Sequence, residues 1–366
     1  MTRKVPRLAV SIGCPSGIGP EVSVVAAATT SSARVVLVGD AGVIQRAAAL
    51  RQLDVRRFVR IDDASDLPSL DARAVGILQP TETLSHRDAR PGKPSVRGGA
   101  AQLAWIDAAC DLVQRGDAAA LVTGPVSKAA IARSGSAAAA RFLGHTEHLQ
   151  RRLHAAEVVM AFASEAFTTS LVTTHLPLAR VPRAVTTAAV AASSFWLAEF
   201  LARIASRRAR IAVASLNPHA GEGGLLGREE EQAIVPGIRL ARKRAEVAGV
   251  ACDLVGPVPA ETAFRLAARG DYDGVVAMYH DQATIPMKLV GFGEAVNVSL
   301  GLPIIRTSVD HGTAYDIAGR GIADASGMSF AVTLAVRLAV SSLSTDASSH
   351  TPRTRRHTRR DRPLST

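Results

Sequence analysis

The 366-residue chain has few cysteines, few aromatics and no long apolar runs. Its three cysteines, Cys14, Cys110 and Cys252, are far apart and form no C-x-x-C pair, which argues against a disulfide framework or a cysteine zinc site. Aromatic residues make up 4 % while apolar residues reach 47 %, a balance suited to a helix-rich α/β enzyme packed with small side chains. No apolar stretch is long and uninterrupted enough to span a bilayer. The basic start MTRKVPRLAVSIG has an apolar part of only about six alternating residues before a glycine turn, so it reads as a first strand rather than a signal peptide, and a cytoplasmic protein is expected. Neither G-x-G-x-x-G nor G-x-x-x-x-G-K-[ST] occurs, so neither a Rossmann fingerprint nor a P-loop is supported. Net charge is +11, but Thr351–Thr366 alone carries six Arg against one Asp. The basic balance therefore mostly reports a tail, and no nucleic-acid or membrane partner is expected.

Strand-like and helix-like segments alternate along the chain. Strands are expected at Arg7–Gly13, Arg34–Val38, Ala74–Leu78, Ala119–Val122, Val158–Ala163, Thr169–Thr174, Arg210–Ser215, Gly274–Tyr279 and Ala295–Leu300. Amphipathic helices are expected at Gly98–Gln114, Arg183–Ile204 and Glu229–Ala248, with a last helix over Ala325–Val340. This order predicts an α/β fold with mostly parallel strands. A domain change is placed near Gly124–Ser136 and a return after Gly293, giving a first domain of 1–130 and 294–340 and a second of 131–293. From Ser341 the composition turns to Ser, Thr and Arg, so 341–366 reads as a disordered basic tail.

Three histidines each follow an apolar, β-branched run: LVTT before His175, IAVASLNP before His219 and GVVAMY before His280. Each would sit at a strand's carboxyl end, where open α/β sheets bind ligands. Three neutral imidazoles form a common first shell for a catalytic divalent metal. His219 lies in NPHAGEGG, whose glycines mean special backbone angles or close approach. Asp281 follows His280 and can orient an imidazole or act as an acid or base. GHTE opens a helix that Thr146 can cap, and its amides with His145 suit an anion. Lys288, Asn297 and Arg306 can clamp a carboxylate and a phosphate. Asp310–Gly321, with His311, Gly312, Thr313 and Asp316, has the glycine and polar density of a nucleotide pocket.

GCPSGIGPE, VTGPVSK, GHTEHL, TTHLPL, NPHAGEGG, GPVPAET, MYHDQ and GLPIIRTSVDHGTAYDIAG occur in that order between about Arg7 and about Val340. In these motifs the chain resembles the 4-hydroxythreonine-4-phosphate dehydrogenase family of pyridoxal phosphate biosynthesis. The resemblance implies an isocitrate/isopropylmalate dehydrogenase-like fold of two α/β domains and a homodimer with the site at its interface. It makes His175, His219 and His280 ligands of one divalent metal (zinc, magnesium or cobalt), shared between dimer partners. It makes His145, Thr146, Lys288, Asn297 and Arg306 substrate contacts, and His311, Gly312, Thr313 and Asp316 contacts of NAD or NADP. Cys14 and Glu261 depart from the family's usual acidic residue and Asp at those places, which bears on substrate preference.

The implied reaction is oxidation of 4-phosphonooxy-threonine to 2-amino-3-oxo-4-phosphonooxybutanoate, which decarboxylates to 3-amino-2-oxopropyl phosphate. Asp281 is the candidate base, and Lys288 is grouped with it among the catalytic residues. Threonate or erythronate 4-phosphate, or a carboxylated cyclic dihydrodiol, are the alternative substrates.

Overall fold

The computed structural model describes residues 5–204, 207–290 and 295–349. Their strands form one sheet. In chain order they are β1 (Arg7–Ser11), β2 (Arg34–Val38), β3 (Phe58–Ile61), β4 (Val75–Leu78), β5 (Ala120–Thr123) and β6 (Val159–Ala163). Then come β7 (Thr168–Leu171), β8 (Ala209–Ala214), β9 (Cys252–Val258), β10 (Gly274–Ala277), β11 (Val296–Leu300) and β12 (Ile305–Val309). The order across the sheet is β3-β4-β2-β1-β5-β12-β11-β6-β7-β10-β8-β9.

The first six strands in that order are mutually parallel, and so are β7, β10, β8 and β9. Between these blocks β11 runs antiparallel to both β12 and β6, and β6 runs antiparallel to β7. The chain leaves the first block after β5 and re-enters it through β11 and β12. β1, β5, β8 and β10 are covered on both faces, which is why they read as near-continuous apolar runs.

All the expected strands form, with ends shifted by a few residues, and the fold is α/β. Three more were not read from the sequence. β3 is a four-residue FVRI, β9 carries Gly256 and Pro257, and β12 (IRTSV) is polar although it lies mid-sheet. The long helix Val96–Gln114 starts where Ser95 Oγ accepts from Gly98 N (2.9 Å). The segment expected as Arg183–Ile204 is broken: a turn over Val181–Ala184 precedes the helix Thr187–Ile204. Glu229–Ala248 likewise divides into a π turn, Glu230–Ile234, and the helix Val235–Val247. The last helix, Ser326–Ser349, continues past Val340, and the Arg-rich Thr351–Thr366 lies outside the described residues. Among the described residues, no single helix is long and apolar enough to cross a membrane.

Candidate active site

Arg306 is the second residue of β12, and the β11/β12 register sets Asn297 opposite Ser308. Side chains two apart share a sheet face, so Asn297, Ser299, Arg306 and Ser308 line one surface. The Arg306 side chain is buried (3 % exposed). Its Nη1 donates to Asn297 Oδ1 (3.2 Å) and Ser299 Oγ (3.0 Å), and Nη2 donates to Thr123 Oγ1 (2.7 Å). Nε has no partner, and no carboxylate pairs with the guanidinium among the described residues. Burial lowers its pKa to about 10, which leaves it charged throughout the physiological range. A buried charge without a counter-ion is costly, so this seat suits an anion.

Thr146 reaches the same seat, with Oγ1 3.2 Å from Ser299 Oγ. It does not cap its helix, as the sequence suggested. The helix His145–Arg152 has Gly144 as its N-cap, without a side-chain cap bond, and Thr146 lies inside the first turn where it meets β11. His145 Nε2 is shielded from solvent and unpartnered. Burial, and then the charge of Arg306, push this imidazole well below the ordinary histidine pKa, so it is neutral. His145, Thr146, Asn297 and Arg306 thus come together as expected. Lys288 is half-exposed on the helix His280–Val290 and lies 3.7 Å from Asp310 Oδ2.

β7, β10 and β8 are adjacent and parallel, and the three histidines follow their carboxyl ends. His175 and His280 are neighbours, with ring centroids 5.5 Å apart. Burial, then the proximity of His280, lowers the pKa of His175 and favours the neutral, ligand-competent ring. His280 Nδ1 is 2.7 Å from Asp281 Oδ1, which leaves Nε2 free, an arrangement typical of a metal-binding histidine. Gln282 ties this turn to β8 by donating to Ser215 O (2.8 Å). His219 belongs to a different construction. Residues 219–223 all take positive φ, including the non-glycines His219 (52°), Ala220 (53°) and Glu222 (45°). Buried Glu230 holds the start of this loop, accepting from Leu216 N (2.9 Å), Asn217 N (2.8 Å) and Asn217 Nδ2 (2.9 Å). Among the described residues no three His, Cys, Asp or Glu side chains gather as a cation site within the chain. Two of the three expected ligands meet, and His219 is not gathered with them.

The Asp310–Gly321 loop packs on the first βα turn. Ile18 N donates to Thr313 O (3.0 Å), and a side chain at Gly17 would begin 2.7 Å from Thr313 O, so glycine is required there. Buried Glu21 accepts from Gly319 N (2.7 Å) and Gly321 N (3.1 Å). Cys14 Sγ lies 3.4 Å from Tyr315 Oη, and desolvation raises the thiol pKa. His311, Gly312 and Asp316 are exposed, and Thr313 is half-buried. Beside this junction is a cavity of about 230 Å³ lined by Pro15, Glu21, Arg46, Leu50, His86 and Gly319. Glu261, the second departure, is on the surface and accepts from its neighbour Thr262 (2.8 Å).

The sequence reading did not single out Thr123, Ser299 or Glu230. Thr123 and Ser299 sit in runs that read as plain strand, while Glu230 sits among three consecutive acids that read as a solvated helix start.

The sequence profile of a family described as "Pyridoxal phosphate biosynthetic protein PdxA" matches residues 31–335. A 4-hydroxythreonine-4-phosphate dehydrogenase of Desulfosudis oleivorans is 41 % identical over 341 residues, covering 90 % of this chain and 95 % of the relative. A solved 4-hydroxythreonine-4-phosphate dehydrogenase from Klebsiella pneumoniae superposes with a TM-score of 0.77 at 36 % identity, over 91 % of this chain and 99 % of its own. A terephthalate 1,2-cis-dihydrodiol dehydrogenase from Burkholderia xenovorans is also similar, with a TM-score of 0.64 at 28 % identity, over 91 % and 98 % of the two chains. With the family profile matched over residues 31–335 and a relative 41 % identical over 341 residues, the chain belongs to the PdxA family of pyridoxal phosphate biosynthetic proteins.

Proposed function

We propose that the chain is a metal-assisted, NAD-type dehydrogenase that oxidises 4-phosphonooxy-threonine to the 3-oxo acid, which then loses carbon dioxide to give 3-amino-2-oxopropyl phosphate. The observation that carries this reading is the buried, unpaired Arg306 beside neutral His145 and Thr146, a seat for one anionic end of such a substrate. The histidine donors fit a divalent transition ion: His175 is biased to its neutral form, and Asp281 fixes His280 by Nδ1. A bound ion would supply Lewis-acid polarisation of the substrate hydroxyl, and the nicotinamide a hydride acceptor. Asp281, already bonded to His280, would take the hydroxyl proton directly or through water. Lys288, held by Asp310, would meet the substrate carboxylate. The loop carrying His311, Gly312, Thr313 and Asp316 would hold the cofactor.

His219 becomes the third ligand when two copies meet. Exposed apolar side chains cluster on the three histidine-bearing segments: Leu176 and Leu178, Leu225 and Leu226, Ile285 and Leu289. Such a concentration of exposed apolar groups calls for a cover, and a second copy supplies both the cover and the missing ligand.

The test is NAD reduction by metal-reconstituted protein, with and without chelator. 4-phosphonooxy-threonine would run beside threonate 4-phosphate, erythronate 4-phosphate and a carboxylated dihydrodiol. Chelator-sensitive turnover highest on the amino substrate is the expected result. Faster turnover of a sugar acid or the dihydrodiol would replace the substrate and keep the site.

A further inference from the structure

One cation in this region has no place in the site described so far. Lys128 opens the helix Lys128–Ala132 just after β5, in the motif VTGPVSK. Its backbone is well fixed: Ser127 N donates to Gln102 Oε1 (2.8 Å), and Ser127 Oγ accepts from Ala130 N (3.2 Å). Gly144 shows where the ammonium lies. A Cβ on Gly144, the residue before His145, would sit 3.6 Å from Lys128 Nζ and 2.8 Å from Glu147 Oε2. The ammonium therefore stands at the start of the helix that carries His145 and Thr146 into the Arg306 seat. It is exposed and makes no ion pair among the described residues.

A charge count gives this position its meaning. With His145 neutral, the seat without Lys128 contains one cation, Arg306, and one nearby carboxylate, Glu147, whose field acts on Arg306. The carboxylate offsets part of the attraction that Arg306 exerts on an anion. Lys128 supplies the surplus positive charge, and its field also reaches both His145 and His175. Lys288 lies 3.7 Å from Asp310 Oδ2 and is assigned to the other end of the substrate, its carboxylate.

We infer that Lys128 is the second cation of the anion seat, closing over a phosphoryl group whose other side rests on Arg306, His145 and Thr146. Glu147 opposes it, tempering the affinity so that the group can leave. This rests on the reading that the Arg306 seat takes the substrate's phosphoryl end.

Calorimetric titration with inorganic phosphate tests the inference without turnover. Wild type is compared with Lys128→Met, Lys128→Arg and Glu147→Gln, with circular dichroism verifying the fold. Loss of one charge at contact range in a partly solvated site predicts a Kd about 10-fold or more weaker for Lys128→Met. Lys128→Arg should recover to within about threefold, and Glu147→Gln should bind phosphate about 3- to 10-fold more tightly. The opposite signs are the signature, since a merely structural role would weaken both variants. Wild-type protein with no saturable phosphate binding, or a Lys128→Met Kd within twofold of wild type, overturns the inference. Failure of the dehydrogenase assay alongside an intact phosphate series would instead count against the proposed substrate.

Discussion

Arg306 separates stability from function at a single side chain. It is buried among Asn297, Ser299 and Thr123 with no carboxylate partner, so exchanging it for an apolar side chain of similar length removes an uncompensated buried charge, which offsets the hydrogen bonds lost to those three oxygens. The bound anion would lose charged hydrogen bonds worth about 1.5–3 kcal/mol each. Arg306→Met is therefore expected to lower kcat/KM by at least about 100-fold while Tm moves only a few degrees, and steady-state kinetics beside a thermal melt measure the two. A collapse of Tm with activity intact would reverse the assignment. His145 gives a pH prediction. Its pKa is lowered in the fold, so below the ordinary value of about 6.5 the unfolded chain takes up a proton that the folded chain refuses. Stability tied to this ring is complete above that pH and falls as the solution is acidified toward the depressed folded value. The slope approaches about 1.4 kcal/mol per pH unit. Denaturant titrations across the acid range should show His145→Phe lacking this component. At this scale the sequence was legible where residue type announces chemistry, as with His175, His280 and Arg306. It was silent where a residue matters only through its neighbour: Ser299 is an ordinary strand serine until β12 lays a guanidinium beside it.

The loop after β8 shows what an element adds. Its glycines are visible in NPHAGEGG, but the sequence does not reveal that His219, Ala220 and Glu222 also adopt left-handed backbone. Each such non-glycine costs about 1–2 kcal/mol and persists only where its surroundings enforce it. Glu230 is the visible enforcer at the loop's start, and it comes from the π turn, a distortion with no sequence signature. Glu230→Ala leaves the amides of Leu216 and Asn217 without their acceptor. A stability loss of about 2–4 kcal/mol is expected, with faster proteolysis near residues 217–224. Limited proteolysis and urea unfolding measure both, and unchanged cleavage would show that the loop holds itself. The missed strands have an equally physical cause. β12 is central yet polar because its side chains build the site, so the periodicity that marks core strands is absent from it.

At the scale of the whole molecule, exposed apolar groups and the three histidines lie on the same three segments. Leu289 is 81 % exposed on the helix that begins with His280. Leu289→Asp is expected to shift sedimentation toward the monomer, and divalent-metal affinity should fall in parallel by about tenfold or more as the third ligand is lost. A variant that is monomeric yet binds metal as wild type does would place all three ligands in one chain. The α/β architecture was readable from strand and helix alternation. How the blocks join was not, because strand order arises from pairing among distant segments: β11 pairs with β6, and β12 with β5, across long stretches of chain.

That junction has a mechanical consequence. β11 is laced along one edge to β12, from Val296↔Val309 to Val298↔Thr307, and along the other to β6, from Val296↔Ala163 to Leu300↔Val159. The two blocks are therefore welded rather than hinged. Motion of one block against the other must twist these paired strands, as a stiff leaf spring twists, because swinging them apart would break the ladder hydrogen bonds. Arg306 stands on the weld itself, so a ligand gripped there loads the spring directly.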